Sequence, residues 1–166
     1  MMRWKKWAKE LAVFMMVLAA LIWGMDQWRR PEPPAIATLP EMTLTSGQTV
    51  SFVALSAEKP LLVYFWATWC GICKLTSPTV DELSREGVNV LSIAIRSGDD
   101  RRLIQGMSAK ALTFPVVNDE QGRLSAEWGI GVTPTFVIID KGKVVSSTTG
   151  WTSYWGIKAR MWWGNQ

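Results

Sequence analysis

Cys70 and Cys73 are the residues of this sequence whose type and spacing can do chemistry, and the 166-residue chain contains no other cysteine. Two thiols separated by two residues can form a disulfide and exchange it with another thiol. The sequence contains no histidine, which excludes imidazole catalysis. With only these two cysteines, a zinc site would also lack ligands, so no metal site is predicted. Thiol–disulfide exchange is therefore the chemistry that the residues favour.

The spacing of the two cysteines leaves other uses of the pair open. A purely structural disulfide would close a very short loop, so it would gain little chain entropy and would stabilise the fold little. Two thiolates are also soft donors that suit Cu(I), and the spacing does not distinguish copper binding from redox exchange. A copper-binding or copper-delivery module is therefore the alternative to an oxidoreductase.

The cysteines stand where a buried strand is predicted to end and a helix to begin. Leu61–Ala67 is apolar at almost every position and is too short for a helix, which predicts a strand buried on both faces. A helix is predicted from about Cys70 to Glu86, and its unpaired N–H groups should lower the pKa of the Cys70 thiol. Cys70 is therefore the predicted nucleophile, and Cys73, one turn later, is the predicted resolving thiol.

The rest of the chain predicts strands that alternate with helices, which is typical of an α/β fold with a mixed central sheet flanked by helices. A β-hairpin is predicted from Met42–Leu44 and Thr49–Val53, around Ser46-Gly47. The remaining predictions are strands over Val88–Ile95, Pro115–Asn118, Thr135–Asp140 and Lys143–Thr148, and helices over Arg101–Lys110, Arg123–Trp128 and from Ser153 to Trp163.

The first thirty residues differ from the rest in charge and hydropathy. They carry six basic and two acidic residues, whereas the remainder carries twelve of each, so the net charge of +4 belongs to this segment. A neutral body lacks the basic patch of a nucleic-acid-binding domain, so no nucleic-acid partner is expected. Leu11–Met25 has no charged residue, and a helix from Trp7 to Trp28 would be about 33 Å long, enough to cross a bilayer.

We expect this segment to be a signal anchor with a cytoplasmic N-terminus, because four basic residues precede the apolar run and two follow it. A cleaved signal peptide is the alternative, but no small-residue cleavage site follows the run closely. The predicted organisation is an anchor over residues 1–30, with the membrane helix at about 7–28, a proline-rich linker over 31–38 and a folded domain over 39–166.

Two segments resemble the active-site motifs of thioredoxin-like proteins. Residues 65–74 (FWATWCGICK), followed by Pro78, are similar to the segment that carries the redox-active cysteines in that superfamily. Residues 131–140 (GVTPTFVIID) are similar to its cis-proline loop and the strand that follows. The resemblance implies a cis bond at Pro134, and it implies that Trp69, Thr133 and Pro134 contact a protein substrate.

The surroundings of the motifs are similar to the membrane-tethered TlpA/ResA/CcmG-like branch of that superfamily, over about residues 37–150. The likeness rests on the opening hairpin, the extra strand and helix between Ser97 and Asn118, and the segment Phe114–Asp119. The branch comprises exported thiol–disulfide oxidoreductases, commonly reductants. The resemblance implies protein thiol and disulfide substrates, a thiol-transferring membrane electron donor, and no cofactor beyond a redox-active disulfide of Cys70 and Cys73. It also implies the bacterial inner membrane, with the domain in the periplasm.

Two positions depart from the family pattern. Tyr64 stands where thioredoxin has a buried aspartate, and Thr76 stands where the CcmG-like branch has a glutamate. Neither proton-handling carboxylate is present. Ile72, between the cysteines, carries no charge that would favour a thiolate, so neither a strongly reducing nor a strongly oxidising potential is predicted.

The eleven tryptophans divide into groups. Trp66 and Trp128 are predicted to lie in the core, whereas the first four belong to the anchor. The spacing of Trp151, Trp155 and Trp162 predicts one face of the terminal helix, packed on the sheet, with Trp163 off that face. An exposed aromatic patch that touches a membrane or a partner is the alternative.

Overall fold

The structure is a computed structural model that describes residues 2–28 and 34–164. It divides into two compact units, Met1–Arg30 and Pro31–Gln166. The first unit is one helix, α1 (Met2–Trp28), which contains a stretch, Lys6–Met25, long and apolar enough to cross a membrane, with a mean hydropathy of 1.7. Residues 31–33 of the predicted linker lie outside the described residues.

The second unit includes part of the predicted linker. One turn of 3-10 helix spans Ile36–Thr38, and Ile36 is buried in the hydrophobic core. An apolar side chain that packs in the core belongs to the folded unit. The described structure therefore places the start of the folded part at or before Ile36, three residues before the predicted domain boundary.

The predicted hairpin is present but short. Its arms are β1 (Met42–Thr43) and β2 (Thr49–Val50), which pair antiparallel. The second arm ends early because Ser51 caps a short helix, α2 (Phe52–Leu55). The Ser51 hydroxyl accepts a hydrogen bond of 3.2 Å from the Ala54 N–H.

The central sheet has five strands in the order β5-β4-β3-β6-β7. Pairing is parallel within β5-β4-β3 and antiparallel within β3-β6-β7, so the sheet is mixed, as predicted. The strands are β3 (Leu61–Trp66), β4 (Val90–Ile95), β5 (Val116–Asp119), β6 (Thr135–Asp140) and β7 (Lys143–Thr149).

Four further helices flank this sheet, close to the predicted positions. Asp99 caps the second of them through a 2.8 Å hydrogen bond from the Arg102 N–H, and the Ser153 hydroxyl accepts one of 3.1 Å from Gly156 at the start of the last. The helices are α3 (Gly71–Arg85), α4 (Asp100–Ala109), α5 (Arg123–Glu127) and α6 (Tyr154–Gly164).

Strand β3 is buried on both faces, as its continuous apolar run predicts. Its alternate residues pack into two different clusters, because successive side chains of a strand point to opposite faces. Tyr64 and Trp66 pack with residues of α3, α4 and α6, whereas Phe65 packs with Phe52 and Trp128. The core positions predicted for Trp66 and Trp128 are confirmed.

Helix α6 packs differently from the prediction. Its inward side chains are Tyr154, Ile157 and Met161, which contact the core at helical spacing. The tryptophans predicted to pack on the sheet are instead exposed, so that prediction is wrong. They are Trp151, Trp155 and Trp162, and Trp163, predicted to lie off that face, is exposed as well.

Candidate active site

The two cysteines lie at the carboxyl end of the central strand. Strand β3 ends at Trp66, and a hydrogen bond of 3.3 Å from the Cys70 N–H to the Ala67 carbonyl closes the turn that follows. Cys70 is the N-cap residue of α3, and Cys73 lies in its first turn. A disulfide joins the two side chains, and their Cα atoms are 5.2 Å apart.

The environments of the two sulfurs differ. Both cysteines pack in the core, but Cys70 is 7% exposed, whereas Cys73 is 1% exposed. The Cys73 N–H donates a hydrogen bond of 3.2 Å to the Sγ of Cys70. In the reduced protein, this donor and the positive end of α3 stabilise a negative charge on Cys70. The geometry therefore favours Cys70, the more accessible sulfur, as the attacking thiolate.

The loop before β6 lies beside Cys70. The Thr133–Pro134 peptide bond is cis, as the resemblance implies, and the Thr133 carbonyl oxygen is 3.6 Å from the Sγ of Cys70. The Thr135 hydroxyl donates a hydrogen bond of 2.6 Å to the Val132 carbonyl, and the Gly150 N–H bonds the Pro134 carbonyl at 2.8 Å. These contacts position a polar backbone atom next to the sulfur that would react.

Apolar side chains next to the active-site residues are open to solvent. Trp69 is 63% exposed, and its Nε1 donates a hydrogen bond of 3.2 Å to the Arg96 carbonyl, which orients the ring. Ile72, Leu75 and Val132 are exposed as well. We call these four residues the apolar rim. Exposed apolar side chains suit contact with an apolar segment of a protein substrate.

A buried network of three hydroxyls lies between β3 and α3. The Tyr64 hydroxyl is 2.9 Å from the Oγ1 of Thr76 and 2.9 Å from the Oγ of Ser77. Burial raises the pKa of Tyr64 from its ordinary value, more than these hydrogen bonds lower it, so the phenol stays neutral near pH 7. Tyr64 and Thr76, the two residues that depart from the family pattern, are therefore hydrogen-bonded to each other.

Sequence reasoning did not include Ser77 in the site. The sequence feature that could have indicated Ser77 is the pair of successive polar residues, Thr76 and Ser77, on the inward side of α3. A buried hydroxyl there needs a hydrogen-bond partner. The buried carboxylate of α3 is Asp81, and it points elsewhere. Asp81 accepts hydrogen bonds from the N–H groups of Thr113 and Phe114, before β5.

A disulfide between two cysteines of unequal burial, at a helix N-terminus and beside a cis-proline loop, defines a thiol–disulfide oxidoreductase with a thioredoxin-like fold. The family model described as Redoxin matches residues 34–153, and the chain belongs to this family.

Relatives and solved structures agree with this assignment. The chain is 42% identical to the thioredoxin-like protein of Haemophilus influenzae over 137 aligned residues, and this alignment covers 82% of each chain. It is 34% identical over 98 residues to the thiol-disulfide oxidoreductase ResA of Geobacillus thermodenitrificans, which covers 55% of each chain. The crystal structure of StoA from Bacillus subtilis matches with a TM-score of 0.67 and 22% identity, over 76% of this chain and 98% of that one. The predicted fold class and enzyme class are both confirmed.

Proposed function

We propose that this oxidoreductase is exported and membrane-tethered, and that it reduces disulfides of protein partners through Cys70 and Cys73. The observation that carries the proposal is the unequal burial of the two joined sulfurs. Cys70 is 7% exposed and lies beside the Thr133 carbonyl, whereas Cys73, one helical turn later, is 1% exposed. The attacking sulfur must reach the disulfide of the partner protein, which we call the client. The resolving thiol needs to reach only the attacking sulfur.

The proposed cycle has two exchange steps that balance. The Cys70 thiolate attacks one sulfur of the client disulfide, and the other client sulfur leaves as a thiolate that takes up a proton. The Cys73 thiolate then attacks the Sγ of Cys70, which forms the Cys70–Cys73 disulfide and releases the reduced client. The client gains two electrons that the pair loses. A thiol-transferring membrane donor returns them.

Trp69, Thr133 and Pro134 are the proposed contacts of the client. The Thr133 carbonyl, 3.6 Å from the reacting sulfur, can accept a hydrogen bond from an extended client segment, as in strand addition. The apolar rim provides contact area on the same side. Substrates of this kind are proteins with an accessible disulfide next to apolar residues.

The proposed location is the bacterial inner membrane, with one span and the domain in the periplasm. Support comes from the apolar stretch Lys6–Met25 of α1 and from the basic residues that precede it. A finer resemblance is to the suppressor-of-copper-sensitivity D protein of Gram-negative bacteria, which would link the exchange reaction to copper tolerance. The Cu(I) module is the alternative use of the same pair.

Trapping of the covalent intermediate tests the exchange reaction. In the full chain, Cys73→Ser should accumulate mixed disulfides between Cys70 and clients, seen as bands on a non-reducing gel that thiol treatment removes. Cys70→Ser is the matched control and should trap none. The proposal fails if Cys73→Ser traps no partner and the wild type binds one Cu(I) per chain, because that result favours the copper module.

A redox titration of the Cys70–Cys73 pair tests the direction of electron flow. A reduction potential below about −250 mV is expected for a reductant. A value above about −150 mV would overturn the reductant role and would leave the exchange reaction intact.

A further inference from the structure

Helix α6 exposes a row of tryptophans. At about 100° per residue, Trp155, Ala159, Trp162 and Trp163 fall within a stripe about 100° wide on the helix. Trp155, Trp162 and Trp163 are 74%, 65% and 76% exposed, and Ala159 between them is exposed too. We call these four residues the tryptophan face.

The opposite side of the same helix is the one that holds it to the domain. Tyr154, Ile157 and Met161 occupy that side and pack on the core. Helix α6 is therefore apolar on two opposite sides, whereas a surface helix of a soluble domain normally has a polar outer side. A contiguous exposed patch of large aromatic rings marks an interaction surface.

The tryptophan face lies beyond the segment that the family model matches. The Redoxin match ends at residue 153, and α6 begins at Tyr154. The exposed indoles are also not part of the core contacts of α6. Core packing therefore does not account for the indoles, which leaves them available for an additional contact.

The charges near the tryptophan face are basic. Residues 151–166 contain Lys158 and Arg160 and no acidic residue. On the helix these two side chains flank the stripe, one on each side. Lys158 pairs with Glu86 at 2.9 Å. Arg160 is exposed, donates a hydrogen bond of 3.3 Å from Nη1 to the Ser146 hydroxyl, and lines an open cleft of about 580 Å³ with Trp163. Arg160 can therefore meet a phosphate beside the indoles.

We propose that the tryptophan face binds the headgroup region of a lipid bilayer, so that the domain docks on the membrane with α6 parallel to its surface. Indole is the side chain most suited to this region, because its ring is apolar and its N–H stays in the polar layer. A helix with one side packed and one apolar side flanked by basic residues is typical of an interfacial helix.

The membrane is favoured over a protein partner by the length of the chain before the domain. The eight residues from Trp28 to Ile36 can span at most about 29 Å when fully extended. This step rests on the proposed membrane span of α1. With such a span, the domain begins close to the headgroups, so a bilayer surface is present at high effective concentration.

A probe placed on the tryptophan face tests the docking. Both natural cysteines form the disulfide, so under non-reducing conditions a maleimide fluorophore labels only the introduced thiol of Ala159→Cys. The full chain is inserted into phosphatidylcholine vesicles that carry a quencher at shallow depth. Gln105→Cys, an exposed position on α4, is the matched control. We expect at least twofold stronger quenching at position 159 than at position 105.

Substitution of the tryptophans distinguishes docking of the tryptophan face from mere closeness of the tethered domain to the bilayer. In the Ala159→Cys background, Trp155→Ser/Trp162→Ser/Trp163→Ser should lower the quenching to the level of the Gln105→Cys probe. The proposal is overturned if quenching is equal at both positions, or if the triple variant is quenched like its parent. Addition of phosphatidylglycerol should strengthen quenching through Arg160, and Arg160→Gln should remove that gain.

Two further readouts keep this proposal distinct from the proposed function. Flotation of the chain with vesicles and no quenching at position 159 would overturn docking and leave the tether standing. Absence of flotation would overturn both. Mixed-disulfide trapping by Cys73→Ser reports on exchange independently, so docking can fail while exchange is retained.

Discussion

The Tyr64 hydroxyl lies 2.9 Å from the Ser77 hydroxyl, in the layer between β3 and α3. Aromatic rings surround Tyr64, with the centroids of Trp66, Phe114 and Phe136 within 6.2 Å. The contact therefore joins the strand that precedes the cysteines to the helix that carries Cys73. This directional hydrogen bond fixes the position of α3 along β3, which apolar contacts alone would define less sharply.

Tyr64→Phe should destabilise the oxidised protein by about 1–3 kcal/mol, because the Ser77 hydroxyl would stay buried without its partner. Denaturant unfolding of the full chain in detergent measures the loss. Tyr154→Phe is the matched control, since its hydroxyl bonds Glu86 at 2.6 Å at the surface and should cost less. Equal losses in the two variants would contradict the role of burial.

Asp81 should make stability depend on pH. Burial acts to raise the pKa of Asp81, but hydrogen bonds from Thr113 and the charge of Arg85 outweigh it and hold the pKa below its ordinary value. A carboxyl with a lowered folded-state pKa adds stability above its unfolded pKa. That stability is lost as pH falls below about 4, through the folded-state pKa.

Asp81→Asn should lower the free energy of unfolding at pH 7 and should flatten its decline between pH 5 and pH 2. Unfolding curves collected across that range measure both effects. Glu82→Gln, at the exposed neighbouring position of α3, is the control and should leave the pH dependence unchanged. Parallel pH profiles for Asp81→Asn and the wild type would show that Asp81 does not carry this dependence.

The two thiols of the reduced protein should differ in reactivity. Cys70 is more exposed than Cys73 and receives the Cys73 N–H hydrogen bond, so its thiolate is both favoured and reachable. We expect iodoacetamide to modify Cys70 at least tenfold faster than Cys73 at pH 7. Mass spectrometry of the two single-cysteine variants, Cys73→Ser and Cys70→Ser, measures the rates. Similar rates would argue against Cys70 as the attacking thiol.

Trp69→Ala should weaken exchange with protein clients, because it removes the one aromatic ring of the apolar rim. We expect a three- to tenfold fall in the rate with a protein disulfide, which corresponds to about 0.6–1.4 kcal/mol. The rate with a small aromatic disulfide should change less than twofold. Trp155→Ala, an equally exposed indole on α6, is the control and should retain both rates. A parallel fall with both substrates would indicate damage to the site rather than loss of client contact.

Local patterns predicted most of the fold. The apolar run of β3 predicted burial on both faces, and two successive aspartates, Asp99 and Asp100, predicted a helix cap that the structure places at Asp99. The short second arm of the hairpin was missed because alternation over Thr49–Val53 resembles a strand, and the Ser51 cap turns its last residues into α2.

The contacts of α6 and of Tyr64 depend on tertiary packing, which periodicity alone does not define. In α6, two apolar sets have helical spacing, and either could face the core. Packing decides in favour of Ile157 and its neighbours, which fill the space beside the sheet, and the indoles remain outside. The pairing of Tyr64 with Ser77 requires the register between β3 and α3, which only the folded structure provides.

The buried position of Cys73 bears on how a covalently bound client would be released in the proposed cycle. With 1% of its surface accessible, Cys73 is shielded from small thiols, whereas the adjacent Sγ of Cys70 is within its reach. In the proposed cycle, Cys73 releases the client by an intramolecular attack, so release needs no thiol from the compartment. The enzyme can therefore complete its exchange where free thiols are scarce.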